Sequence, residues 1–423
     1  MNKHLRTFFA FLLLVTAMLA CASPIPPAMP APPNGGTVIA PSSPNPNQVG
    51  TVVALTLTAL APPEESTAVV PTVTATGDPA AAALPHSFYY LNKDSAGLLQ
   101  VFRIETDGVT QRQITSEPAD VSDYDVSLAD GSVAYVANNQ LVLVNADGSN
   151  RQVLADGGIM DVNNPFLNNL SSPVFSPDGQ SLAYGFQGLQ IYNFSTGASA
   201  LIMKNQIDDL GDGLFIPREM YSPERYAPDG TKLLVTLSYY EGASSAIYYP
   251  GTNKFIRLVG GEGALICCDG TEWSADSASV YAANPSMGMF SAGLWKVDAA
   301  SGNVTTLIPG YVGDSSYQAA DEAYLAPDGQ LYFFFAAAAS PDGRFPLRLV
   351  RSAPDGVTGR AVISEQDFLL LNEALWAPDA SFVVANLASF PEEYQGGRAE
   401  IVFLDGRPNV VLAPAALQMK WGP

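Results

Sequence analysis

Beyond residue 86 the chain alternates apolar and polar positions with a period of two, in short runs separated by Asp-Gly, Pro and Asn punctuation. "SLAYGF" (181–186) and "KLLVTL" (232–237) are examples. Alternation of this kind places one face of an extended chain in a core and the other toward polar surroundings, so each run predicts a β-strand. The runs recur in a fixed order.

One line repeats six times: "DVSLADGSVAYV", "SPVFSPDGQSLAYG", "ERYAPDGTKLLVT", "TEWSADSASVYAA", "AYLAPDGQLYFFF" and "ALWAPDASFVVA". Its aspartates are Asp130, Asp178, Asp229, Asp276, Asp328 and Asp379, spaced by 48, 51, 47, 52 and 51 residues. A period of about 50 signals a propeller or another repeat architecture. In five of the six repeats a large apolar residue stands three before the aspartate: Phe175, Tyr226, Trp273, Leu325 and Trp376. It predicts a first strand packed on the neighbouring sheet. The turn that follows is chemically specified: Pro presets φ, Asp bonds the backbone beyond it, and Gly accepts positive φ. The alternating run is a second strand. A third ends in turns such as "NADGSN", and a fourth, such as "RQVLA" or "FIRLV", closes the unit. Four antiparallel strands per repeat make one propeller blade.

Residues 87–115 carry second, third and fourth strands without a first, while "LQMKWGP" (417–423) carries a first strand alone. Trp421 matches Trp376 at a spacing of 45, and Pro423 matches Pro378. The expectation is an all-β, seven-bladed β-propeller in which the C-terminal strand joins the N-terminal blade and leaves the ring without free edges. A six-bladed ring with 87–115 as a separate hairpin would orphan Trp421.

"FSPDGQSLAYG" and "APDGTKLLVTL" resemble the repeats of TolB-type propellers, also found in the N-terminal propellers of prolyl oligopeptidase relatives. The resemblance covers 87–423. It implies the fold and, by analogy alone, a binding scaffold in a bacterial envelope. The Gly-His and Trp-Asp signatures of WD repeats are missing.

The first 85 residues differ in kind. "MNKHLRTFFAFLLLVTAMLAC" has a basic start, an apolar stretch and small residues before Cys21, and "MLAC" resembles a bacterial lipobox. Residues 1–21 are therefore expected to be a lipoprotein signal peptide with Cys21 lipidated. Residues 22–85 hold 14 of the 33 prolines and only three charges, the composition of a flexible tether of about 45 Å r.m.s. span. Residues 86–423 remain for the propeller. The location expected is the outer face of the cell membrane, or the outer membrane where there are two; Ala22 lacks the Asp that signals retention.

After residue 21 the chain carries 41 Asp and Glu against 18 Lys and Arg, a balance of −23. Such a surface repels nucleic acid and anionic lipid, which excludes DNA and RNA as partners. The expected state is a monomer that touches the membrane through its lipid alone.

Turns alternate between the two faces of a propeller. The Asp-Gly and "NADGS" turns share one face. The other receives the long connections, here 159–172, 207–223, 238–246, 261–271, 284–293, 309–322, 338–346, 365–373 and 389–398. Long irregular loops on a rigid scaffold carry binding, so this face is the candidate functional one. Glu224, Glu272, Glu322 and Glu373 lie just before the innermost strands. They read either as a carboxylate-lined funnel at the channel mouth or as solvated surface acids. Cys267 and Cys268 are adjacent on the same face; they form a disulfide between neighbours or remain two buried thiols. Asp208, Asp212, Gly213 and Glu219 fall at positions 1, 5, 6 and 12 of a calcium-loop pattern, although Leu210 occupies a ligating position. Ca²⁺ is the one cofactor this admits.

Hydrolase chemistry finds no support: there is no G-x-S-x-G elbow, and beyond the signal only His86 remains. No P-loop or dinucleotide pattern occurs. The function expected is non-catalytic capture of an envelope protein or peptide. The alternative is a glycan site that stacks sugars on loop aromatics: Phe166, Phe215, Tyr239, Tyr240, Phe290, Tyr311, Tyr317, Phe390 and Tyr394.

Overall fold

Every repeat aspartate does what the turn requires. Asp130, Asp178, Asp229, Asp276, Asp328 and Asp379 each accept, at 2.8–3.0 Å, the backbone N–H two residues on. The residue after the aspartate has positive φ in each, including Ser277 (58°) and Ala380 (56°), where glycine is absent. The carboxylate thus fixes the hairpin even without the permissive residue.

The computed structural model describes residues 83–423, apart from 240–241, 269, 287–289, 314–315, 339 and 341–345. The expected signal peptide, Cys21, residues 22–82 of the tether and Tyr240 lie outside the described residues. All described residues belong to one compact unit, Ala75–Pro423. Leu84, assigned from sequence to the tether, is buried, and its N–H donates to the Thr106 carbonyl at 2.9 Å, so the packed domain includes residues before 86.

The unit is all-β. Strands β1 (Phe88–Lys93), β2 (Leu99–Ile104) and β3 (Gln111–Gln113) open the chain. Then come β4 (Val121–Val126), β5 (Val133–Ala137), β6 (Gln140–Val144) and β7 (Gln152–Asp156), followed by β8 (Ser171–Phe175), β9 (Ser181–Gly185), β10 (Gly188–Asn193) and β11 (Ala198–Lys204). A short β12 (Gln206–Asp209) precedes β13 (Phe215–Tyr226), β14 (Leu233–Tyr239), β15 (Gly242–Tyr249) and β16 (Lys254–Arg257). Next are β17 (Thr271–Trp273), β18 (Ser279–Asn284), β19 (Gly293–Asp298) and β20 (Val304–Pro309). The chain finishes with β21 (Tyr317–Leu325), β22 (Leu331–Ala338), β23 (Leu347–Ser352) and β24 (Ala361–Phe368), then β25 (Leu371–Trp376), β26 (Phe382–Leu387), β27 (Gly397–Phe403) and β28 (Val410–Trp421).

Four sheets hold four antiparallel strands each, one holds five because β12 is added to it, and one runs β25-β26-β27-β28-β1-β2-β3. The last is divided by β28. Its first half pairs with β27 (Ile401↔Val410, Gly397↔Ala416), and its second half pairs with β1 (Leu91↔Leu417, Phe88↔Trp421). One strand is therefore outermost in one four-stranded unit and innermost in the next.

Apolar clusters lie between consecutive units. Tyr89 and Val101 meet Tyr124 and Tyr135; Leu141 meets Phe175 and Leu182; Leu189 meets Tyr221 and Val235. Ile247 meets Trp273 and Val280; Leu294 meets Ala320 and Leu331; Leu349 meets Trp376 and Val383. Finally Phe382 and Ile401 of the last unit meet Phe88 and Tyr90 of the first. Each unit buries both faces, which explains why second strands such as β5 (VAYVA) and β18 (SVYAAN) are buried throughout.

The long connections differ from expectation. Much of 207–223 is the β12–β13 hairpin, and 317–322, 365–368 and 371–373 are strand. Paired backbone satisfies donors and acceptors that an exposed loop would leave to water. Two connections on the same face, 138–139 and 186–187, are two-residue turns.

Candidate functional site

The innermost strands other than β17 share an irregularity that alternation does not show. Pairing slips between Val121 and Asp123, Ser171 and Val174, Pro223 and Arg225, Asp321 and Tyr324, Leu371 and Glu373, and opposite Tyr89–Leu91 in β28. These are β-bulges, in which one extra residue re-aims the side chains around it. Ser172, Glu322 and Gln418 sit at them with φ of 53°, 50° and 50°.

On the loop face residues of β18, β21, β25 and β28, with the connections beside them, line a cavity of about 380 Å³. Its lining includes Glu322 and Glu373, Cys267 and Cys268, all expected from sequence. Asp321, Asn284, Asn372 and Gln418 join them unforeseen. Asp321 and Asn372 were findable: each stands seven residues before its repeat aspartate and directly before Glu322 or Glu373. Leu369, Leu371, Leu417 and Tyr394 supply the apolar wall. The described lining contains Asp321, Glu322 and Glu373 and no Lys, Arg or His.

Cys267 and Cys268 are joined as a disulfide between neighbours, with Cα atoms 3.7 Å apart. Cys267 is buried and Cys268 exposed, so the alternative of two buried thiols does not hold. Cys268 has φ of 67°.

Glu224 and Glu272 do not line the cavity. Glu224 accepts hydrogen bonds from the hydroxyls of Thr236 at 3.2 Å and Thr271 at 3.5 Å. Glu272 pairs with the Arg225 guanidinium. Glu373 has a seam role as well, because its carboxylate accepts the Met419 N–H of the next innermost strand. Asp125 does the same for Phe175 at 2.7 Å, and Asp123 for Ser172 at 2.9 Å. Several carboxylates of the innermost strands therefore join one such strand to the next.

The calcium-loop pattern is not assembled. Asp208 lies on β12 beside Arg218 at 3.5 Å, and Asp212 is at the exposed hairpin tip. Glu219 is buried on β13, where Arg257 grips it at 2.6 and 2.8 Å and the Tyr221 hydroxyl donates to it. Arg257 holds the Glu219 carboxyl below its ordinary range against the opposing effect of burial. A hairpin separates in space the residues a helix–loop–helix would converge. Among the described residues no group of three or more His, Cys, Asp or Glu could hold a metal ion.

Of the loop aromatics, Tyr394 lines the cavity, Tyr311 and Phe390 are exposed, and Phe166, Phe215, Tyr239, Phe290 and Tyr317 are half-buried. The Tyr311 and Tyr317 rings are 5.5 Å apart. The described aromatics do not form one platform around the cavity. Exposed aliphatics were missed by sequence reasoning. Ile159, Met160, Val162, Leu210, Leu214, Val312 and Leu369 join Tyr311, Phe390 and Tyr394, so among the described residues ten of the eighteen exposed large apolar side chains lie on this face.

No family model matches the chain, and no curated protein shares detectable similarity with it. Solved structures do. A prolyl endopeptidase aligns with a TM-score of 0.51 at 14% identity, over 80% of this chain and 49% of its own. The chain thus spans about half the length of that enzyme. An oligogalacturonate lyase in complex with manganese aligns with a TM-score of 0.48 at 9% identity, over 77% of this chain and 84% of its own. A TolB-type protein from Agrobacterium tumefaciens aligns with a TM-score of 0.39 at 16% identity, over 72% of this chain and 99% of its own. The first of these likenesses shows the fold, a β-propeller, and nothing of activity.

Proposed function

We propose that the protein is a non-catalytic binding module whose loop face captures a protein or peptide partner. The observation that carries this reading is the distribution of exposed apolar side chains: among the described residues ten of eighteen lie on the face that also holds the acidic cavity, two of them, Leu369 and Tyr394, in its wall. Exposed apolar residues gathered on a face mark interaction surfaces. Their mainly aliphatic character favours a protein over a sugar, which would call for a clustered aromatic platform. The scaffold is a seven-bladed ring closed at β28, a reading supported by the apolar clusters that link every unit to the next. The chain is an exported lipoprotein held at Cys21 by its lipid, and the reading requires no cofactor.

The test is capture from native envelope extract on the immobilised full chain, beside a variant carrying Asp321→Asn, Glu322→Gln and Tyr394→Ala. One protein enriched on the native chain and lost on the variant supports the reading. Capture of glycan without protein replaces it with the carbohydrate alternative, for which Tyr394 beside Glu322 would be the stacking and hydrogen-bonding pair.

A further inference from the structure

The geometry points to a second docking surface on the loop face, away from the cavity, that takes an extended protein segment alternating apolar and basic residues. It rests on the reading of the loop face as a binding face, and it names a place and a partner chemistry which that reading does not.

Two connections build the surface. The first, 157–170, is braced from within: Asn168 Nδ2 donates to the Gly157 and Ile159 carbonyls at 2.9 and 2.7 Å, and Asp161 Oδ1 accepts from the Asn163 and Asn164 N–H groups at 2.9 and 3.1 Å. So fixed, it turns Ile159 and Val162 outward at 97% and 84% exposure. The second is the tip of the β12–β13 hairpin, where Leu210 and Leu214 are exposed and their backbones close on each other at 2.9 Å. Asn164 Nδ2 reaches the Gly213 carbonyl at 3.4 Å and ties the two together. Four large aliphatic side chains held open on rigid backbone lose little freedom when a partner covers them.

Charge and edge identify the partner. Asp161, Asp208, Asp209 and Asp212 are interspersed with these aliphatics, and Arg218 offsets only Asp208. An anionic lipid surface is repelled by that balance, and a segment carrying Lys or Arg between its apolar residues is complementary to it. Strand β12 stands at the end of its sheet and pairs, among the described residues, with β13 alone. An edge strand is a template for adding another, with main-chain bonds for affinity and alternate side chains for selectivity.

The experiment uses the full chain and two labelled peptides, acetyl-(Val-Lys)4-amide and acetyl-(Val-Glu)4-amide, read by fluorescence anisotropy. The Lys peptide is expected to bind, to weaken about tenfold between 50 and 500 mM salt, and to protect the amides of 159–162 and 206–214 from hydrogen exchange. The variant Ile159→Ser, Val162→Ser, Leu210→Ser, Leu214→Ser is expected to bind at least about tenfold more weakly with an unchanged melting temperature. Equal binding of the Glu peptide, undiminished binding by the variant, no binding of either peptide, or aliphatic-dependent binding to phosphatidylcholine vesicles instead would each overturn the inference. If this variant still captures the envelope partner that the cavity variant loses, the second surface fails while the proposed function stands.

Discussion

Trp421 Nε1 donates to the main-chain carbonyl of Trp376 at 2.7 Å. Trp376 in turn donates to the carbonyl of Glu322 at 2.8 Å, and Trp273 donates to that of Arg225 at 3.2 Å. The same residue type in the same strand of three units reaches back to the preceding innermost strand. Trp421 is thus a member of the repeat series rather than a tail. Replacing it with Phe keeps the ring against Phe88 and Phe382 and removes one donor, so stability should fall by about 1 kcal/mol. Trp421→Ala also empties the space and should cost roughly 3 kcal/mol. Urea denaturation of the two variants checks both the order and the sizes.

Glu373 should be sensitive to whether its replacement can still accept a hydrogen bond. Glu373→Ala leaves the Met419 N–H without its acceptor at the seam between β25 and β28 and should cost about 1–3 kcal/mol. Glu373→Gln keeps a side-chain oxygen to accept that N–H and should lose less than Glu373→Ala. Calorimetry distinguishes them. Equal melting of all three would mean that the seam bond contributes nothing.

Acid should destabilise the fold through its turn aspartates. Hydrogen bonds hold Asp178 and Asp276 below the ordinary carboxylate value, led by the Ser176 and Ser274 hydroxyls respectively. A depressed folded-state pKa contributes stability that is complete above the unfolded value of about 3.9 and is lost as pH falls through the folded value. Asp178→Asn should therefore lower stability at pH 7 and approach the native chain below about pH 3. Parallel denaturation series at the two pH values read the difference.

Glu219 offers a second titration, in which Arg257 is the first cause of the depression and burial opposes it. By the same sign, the pair stabilises above about pH 4.3 and fades in more acidic solution. Arg257 is half exposed, so solvent screens the pair, and Glu219→Gln should cost about 1 kcal/mol at neutral pH. A larger loss would mean that the Tyr221 hydroxyl depends on the carboxylate too.

Cys267 and Cys268 should appear in one proteolytic peptide that resists alkylation before reduction and takes up two alkyl groups afterwards. Mass spectrometry of the native and reduced chain decides. Alkylation without reductant would place free thiols at the cavity wall.

Strand order, the turn chemistry and the pairing of the C-terminal strand with β1 were legible in the sequence. They depend on local rules: alternation, the Asp that bonds two residues on, and a Trp in register with its repeat. The acidic positions were legible as a line but not as a site. Glu322 and Glu373 reach the cavity while Glu224 and Glu272 stay at the seams, where Thr236 and Thr271 engage the first and Arg225 the second, and partners on other strands leave no periodic signal. The calcium-like spacing failed for a related reason, since spacing fixes positions along the chain and the β12–β13 hairpin separated them in space. Sequence alone determined a repeat of antiparallel strands with one variable face. Tertiary structure decided which carboxylates meet and that Ile159 and Leu214 face outward together, because each of these depends on contacts between residues far apart in the chain; it also decided that the adjacent cysteines bond to each other, which their spacing alone left open.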